Sequence, residues 1–72
     1  MNLNLLNSKM ALKGDRNDDL AKALEISPQR LSAKKNNTNG AEFTQNEIQI
    51  IKDRYNLTDS EIIEIFFNNN VS

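Results

Sequence analysis

Helix-boundary signals fall so close together along this chain that each piece between them has room for two or three helical turns and no more. Gly14 suits the left-handed conformation that closes a helix. Ser27-Pro28 joins a preferred N-cap to a proline at the first helical position, where its missing N–H leaves no partner wanting. Thr44-x-x-Glu47 and Thr58-x-x-Glu61 are capping boxes, each satisfying two free backbone donors. Between these signals apolar residues return at helical spacing: Leu3, Leu6 and Met10; Leu20, Ala21 and Leu24; Ile48, Ile51 and Tyr55; and the dense set Ile62, Ile63, Ile65, Phe66 and Phe67. No stretch alternates as a strand would. The pattern predicts five helices, over about 3–13, 17–24, 28–35, 45–55 and 59–67. Asp15 is the expected N-cap of the second, and Asp18 and Asp19 sit in its first turn, where the helix dipole favours acids. Phe43 is placed to staple the start of the fourth. Residues 36–42 form a polar loop and 68–72 a loose tail. The expectation is one all-α domain spanning residues 1–72.

A chain of 72 residues buries only about 60% of its unfolded surface, so its stability is expected to be modest. It contains neither cysteine nor histidine. That removes disulfides, thiolate metal sites, the commonest metal ligand and the usual general base. Asp18 and Asp19 are adjacent in sequence and point in different directions, so they make no catalytic dyad. No catalytic residue, metal or cofactor is expected, and no small-molecule partner. No apolar run approaches the ~20 residues of a membrane helix, and MNLNLLNSKM lacks the long apolar core of a signal peptide. The expected location is the cytoplasm, with no membrane partner. The net charge of -1 runs against the basic footprint usual in nucleic-acid-binding domains. Phosphate neutralisation supplies most non-specific DNA affinity. A slightly acidic chain must gather its bases on one face, bind DNA weakly, or bind something else.

The segment that carries function is residues 15–36, DRNDDLAKALEISPQRLSAKKN. A helix of about eight residues, a short break, and a second helix capped by serine make the helix-turn-helix plan. Small Ala21 lets the two helices cross closely, and Leu20, Leu24, Ile26 and Leu31 stand where they need apolar contact. Asn17-Asp18-Asp19-Leu20-Ala21 and Glu25-Ile26-Ser27 resemble the polar-Gln-x-x-Leu-Ala, turn, Ile-Ser pattern of the Cro and repressor family of phage regulators. The resemblance covers residues 5–67 and implies a five-helix, lambda-repressor-like domain. The small size, the many asparagines and the ending FTQNEIQIIKDRYNLTDSEIIEIFF resemble regulators of temperate phages of Gram-positive bacteria, above all the modulator-of-repression antirepressors of lactococcal phages. Such a resemblance implies a role at the lysis–lysogeny switch in the host cell. The partner it implies is the N-terminal DNA-binding domain of the phage repressor; a Cro-like protein would instead take operator DNA directly.

Three features depart from the family pattern. Glu25 stands where the turn usually has glycine, and a left-handed glutamate costs on the order of 1 kcal/mol. Asn17 replaces a glutamine of longer reach. The recognition helix is poorly equipped: opposite Leu31 lie Gln29, Ala33 and Asn36, flanked by Arg30 and Ser32, and Pro28 replaces a residue that often donates to DNA. Only Gln29 and Arg30 have the bidentate geometry that reads adenine or guanine.

Two sets of residues follow. A DNA-binding reading uses Gln29 and Arg30 on bases and Arg16, Lys34 and Lys35 on phosphates, with Asn17, Ser27, Ser32 and Ala33 in the same DNA-facing set. Its plain counterpart is solvated charge at a helix C-terminus, with the stem of Lys34 or Lys35 laid along the core edge. A protein-binding reading uses Asp15, Asp18, Asp19 and Glu25 against the bases of a repressor, with Gln29 and Arg30 as polar contacts. Capping and the helix dipole account for Asp15, Asp18 and Asp19 without any partner; Glu25 has no such local role. The last helix is expected mainly to close the core, the alternative being that Ile65 or Phe67 reaches an exposed patch.

Overall fold

The computed structural model describes residues 1–37, 40 and 42–67. It contains five α-helices: α1 (Leu3–Lys13), α2 (Asn17–Leu24), α3 (Pro28–Asn36), α4 (Gln45–Tyr55) and α5 (Asp59–Phe66). No strand occurs among the described residues. The expected order and bounds hold, with α3 ending at Asn36 and α5 at Phe66. The expectations for the tail, and for much of the loop before α4, lie outside the described residues. A radius of gyration of 11.4 Å matches the about 11 Å of a compact chain of this length.

Local chemistry sets the ends. The Ser27 hydroxyl accepts the Arg30 N–H at 3.1 Å, and the Thr44 and Thr58 hydroxyls accept the N–H groups of Glu47 and Glu61 at the same distance. The Thr44 and Thr58 N–H groups donate back to Glu47 and Glu61, each at 2.9 Å, so both capping boxes close. At the other ends Gly14, Glu25, Asn37 and Asn56 are all left-handed. Gly14 and Glu25 form paired closures. The Gly14 and Asp15 N–H groups donate to the Ala11 and Met10 carbonyls, and the Glu25 and Ile26 N–H groups to the Lys22 and Ala21 carbonyls. At Glu25 the Schellman arrangement carries an apolar residue just past the helix, so Ile26 packs on the core from inside the turn.

One cap departs from expectation. The N-cap of α2 is Arg16, not Asp15. The Arg16 N–H is satisfied from within the helix by the Asp19 carboxylate at 2.9 Å. That leaves Asp15 free for a longer-range contact.

The core gathers at least one residue from every helix, and Leu57 from the joint between α4 and α5: Leu6, Met10, Leu20, Ala21, Leu24, Leu31, Ile51, Leu57, Ile62 and Ile65. α2 packs most extensively on α3; α4 lies against α1 and α2, and α5 against α1. The Asn2 N–H donates to the Ile65 carbonyl at 2.7 Å and joins the start of the chain to the last helix. Phe43 meets Phe66 edge-to-face with ring centroids 5.5 Å apart, so the aromatic ahead of α4 fastens that helix to α5. Ile65, offered as a surface residue in the alternative reading of the last helix, is fully buried; α5 exposes Ile63 instead, 59% accessible, followed by Phe67 at 57%. The helical period explains the exchange, since Ile62 and Ile65 face the core and Ile63 turns away.

Candidate recognition face

Glu25, Ile26 and Ser27 join α2 to α3, and the two helices cross where Ala21 is almost completely buried. The side of this unit turned from the core carries Arg16, Asn17, Asp18 and Asp19 at the start of α2. Glu25 lies in the turn, and Ser27, Pro28, Gln29 and Arg30 open α3; all nine are exposed. Ser32 and Ala33 are half-buried. Gln29 and Arg30 therefore share the accessible opening turn of α3. The Ser27 hydroxyl is committed to its cap.

The long side chains divide differently from the sequence-based expectation. Lys34, assigned to phosphate contact, is a core residue only 6% accessible. Its ammonium lies 2.7 Å from Glu47 Oε1 and donates to the Glu42 carbonyl at 3.1 Å. It holds α3 to α4 and is not available to a phosphate. Burial works to raise the Glu47 pKa, but the Lys34 hydrogen bond, the Thr44 N–H and the Lys34 charge outweigh it and keep the group below the usual carboxylate range. Lys35 is half-buried; its ammonium donates to Asn17 Oδ1 at 2.7 Å and touches Met10 Sδ at 3.6 Å. Desolvation lowers its pKa. Asn17 and Lys35 thus hold each other across the α2–α3 unit.

Asp15 also leaves the set of accessible acids. Its side chain is 8% accessible and takes both arms of Arg54, with Nε at 2.6 Å from Oδ2 and Nη2 at 3.0 Å from Oδ1. The Tyr55 hydroxyl donates to Oδ2 at 2.7 Å. The Arg54 hydrogen bonds, helped by Tyr55 and opposed by burial, hold the Asp15 carboxyl below the usual range. Burial, with the Asp15 carboxylate beside it, pushes the Tyr55 phenol up. Neither Arg54 nor Tyr55 is signalled in the sequence as Asp15's partner. They lie 39 and 40 residues away, beyond any local pattern.

What stays exposed on the candidate face is three cations, Arg16, Lys22 and Arg30, and three carboxylates, Asp18, Asp19 and Glu25. Those six side chains sum to +3 − 3 = 0, so the face has no excess of base. Elsewhere, surface pairs tie α5 to its neighbours: Lys9 to Glu61 at 2.5 Å, and Lys52 to Asp59. A shallow cleft of about 210 Å³ lies between α3, α4 and α5, walled by Phe43, Ile48, Phe66 and Phe67. No helix is long and apolar enough to cross a membrane, and no group of three or more acids is placed to hold a metal ion, among the described residues.

Neither a protein-family model, nor a curated protein, nor a solved structure matches this chain.

Proposed function

We propose that this chain is an antirepressor of the phage lysis–lysogeny switch, acting in the cytoplasm of the host. Its α2–turn–α3 unit is a helix-turn-helix that docks on the N-terminal DNA-binding domain of the phage repressor and keeps it from its operator. The observation that carries this reading is the charge balance of the face. Lys34 is spent inside the fold and Lys35 is tied to Asn17. Asp18, Asp19 and Glu25 remain exposed beside Arg16, Lys22 and Arg30, so the face lacks the excess of base that phosphate binding needs. The three acids are where it can meet a basic partner. They complement the basic surface that a repressor turns to DNA. Such charge pairing governs orientation and association rate, with apolar contacts supplying much of the affinity.

Exposed Gln29 and Arg30 at the start of α3 favour a second reading, direct operator binding in the manner of Cro. Both side chains have the geometry to read base edges in the major groove.

A gel-shift titration at low salt separates the two. It uses DNA from the regulatory region beside this chain's coding sequence, with and without the repressor encoded there. Release of bound repressor, with no shift by this chain alone, is the expected result. A shift by this chain alone, weakening steeply with salt, assigns it to operator DNA and overturns the antirepressor reading.

A further inference from the structure

α3 is fixed along α2, by packing and by the Lys35–Asn17 bond, but to α4 at few points. Of its nine residues only Leu31 and Lys34 are buried. Leu31 packs into the core and is fully buried. Toward α4 no residue of α3 other than Leu31 and Lys34 is buried, so apolar packing there does little to set the angle between the two helices. α3 packs along α2, while its contact with α4 is slight by comparison. Lys34 bridges that interval one turn beyond Leu31, through Glu47 Oε1 at 2.7 Å and the Glu42 carbonyl at 3.1 Å. Glu47 is itself held still, because the same Oε1 accepts the Thr44 N–H at 2.9 Å. An ion pair this buried contributes little net stability compared with apolar residues of the same volume, but it is directional.

We propose that Lys34 is a positioning residue: its ion pair with Glu47, and not apolar packing, sets the angle at which α3 stands on α4 and so the direction in which Gln29 and Arg30 point. The consequence for partner recognition rests on the reading of the α2–α3 face given above; the orientation of α3 does not.

The test uses the whole chain without any partner, so a failed recognition model leaves its result intact. Residual dipolar couplings of backbone amides are measured for wild type and for Lys34→Met/Glu47→Gln. Methionine keeps the apolar stem, and glutamine keeps the acceptor that closes the Thr44 capping box. In wild type all five helices fit one alignment frame. In the double variant the α3 couplings are expected to leave the frame still shared by α1, α2, α4 and α5, and Lys34→Arg is expected to keep it. Couplings of α3 that still fit in the double variant would mean that packing alone sets the angle, and would overturn the proposal. If the double variant does not fold, Lys34→Met alone serves, since it strands no buried cation and Glu47 keeps the Thr44 N–H: departure of α3 from the common frame supports the ion pair, and unchanged couplings overturn it.

Discussion

Glu25 shows how one residue can be settled by its neighbours and not by its own preference. Among the described residues three non-glycines are left-handed, and the other two, Asn37 and Asn56, are of the type that tolerates it. The paired closure at the end of α2 requires a left-handed residue at position 25 whatever its side chain. Glu25→Gly is therefore expected to stabilise the fold by about 0.5–1 kcal/mol, relief of strain being partly offset by the freer unfolded chain; urea unfolding measures it, and a loss of stability would contradict the argument. Asp15 is settled by a distant partner. Its pKa is lowered in the folded state, so between the folded and unfolded values the unfolded chain binds more protons, and stability rises with pH. This contribution is complete above the unfolded value of about 3.9 and is lost as the pH falls through the lower folded one. Asp15→Asn is expected to cost about 1–3 kcal/mol at neutral pH. It should also flatten the acid limb of the stability curve, which thermal unfolding at a series of pH values would show. Glu47 titrates in the same sense, so the flattening is partial.

Among the elements, α4 and α3 stand at opposite ends of self-sufficiency. α4 has its own capping box, three bonds to Asp15 from its last turn, and a buried Ile51. Loss of the capping hydroxyl through Thr44→Ala is expected to cost about 1 kcal/mol, seen as a lower unfolding midpoint with the helix content at 25 °C kept. α3 relies on tertiary contacts. Leu31→Ala removes its one large apolar anchor and is expected to cost about 2–5 kcal/mol. For a domain this small that is most of the folding free energy, so circular dichroism should show a largely unfolded chain or a transition far below that of wild type. A variant as stable as wild type would place the anchor of α3 elsewhere.

For the molecule as a whole, the decisive property is how nine basic and ten acidic side chains are shared between interior and surface. The fold draws Lys34, Arg54, Asp15 and Glu47 into cross-helix pairs. The acids at the start of α2 stay in solvent. On the antirepressor proposal, reversing them, Asp18→Lys with Asp19→Lys, is expected to weaken repressor binding by tenfold or more, roughly 1.4 kcal/mol or above, and also to lower the unfolding midpoint, because Asp19 caps the Arg16 N–H and both acids face the positive end of α2. Calorimetric titration with the repressor's N-terminal domain measures it, and unaltered affinity would remove these acids from the interface. The same reversal gives the face the sign that DNA favours, so a gain of non-specific DNA binding at low salt should accompany the loss.

The sequence by itself determined what local chemistry determines. Gly14, Ser27-Pro28 and the Thr44 and Thr58 boxes bound the helices because caps and left-handed closures act within four residues of the groups they satisfy. The spacing of Leu20, Ala21, Leu24 and Leu31 placed the core side of α2 and α3 for the same reason, since helical period is a local property. Tertiary structure alone decided which charges remain for a partner. Asp15 reads as an N-cap until Arg54 and Tyr55 reach it from α4, and Lys34 reads as a phosphate contact until Glu47 takes it inside. Ion pairs between residues 13 and 39 apart follow from how helices cross, and no spacing along the chain encodes that crossing.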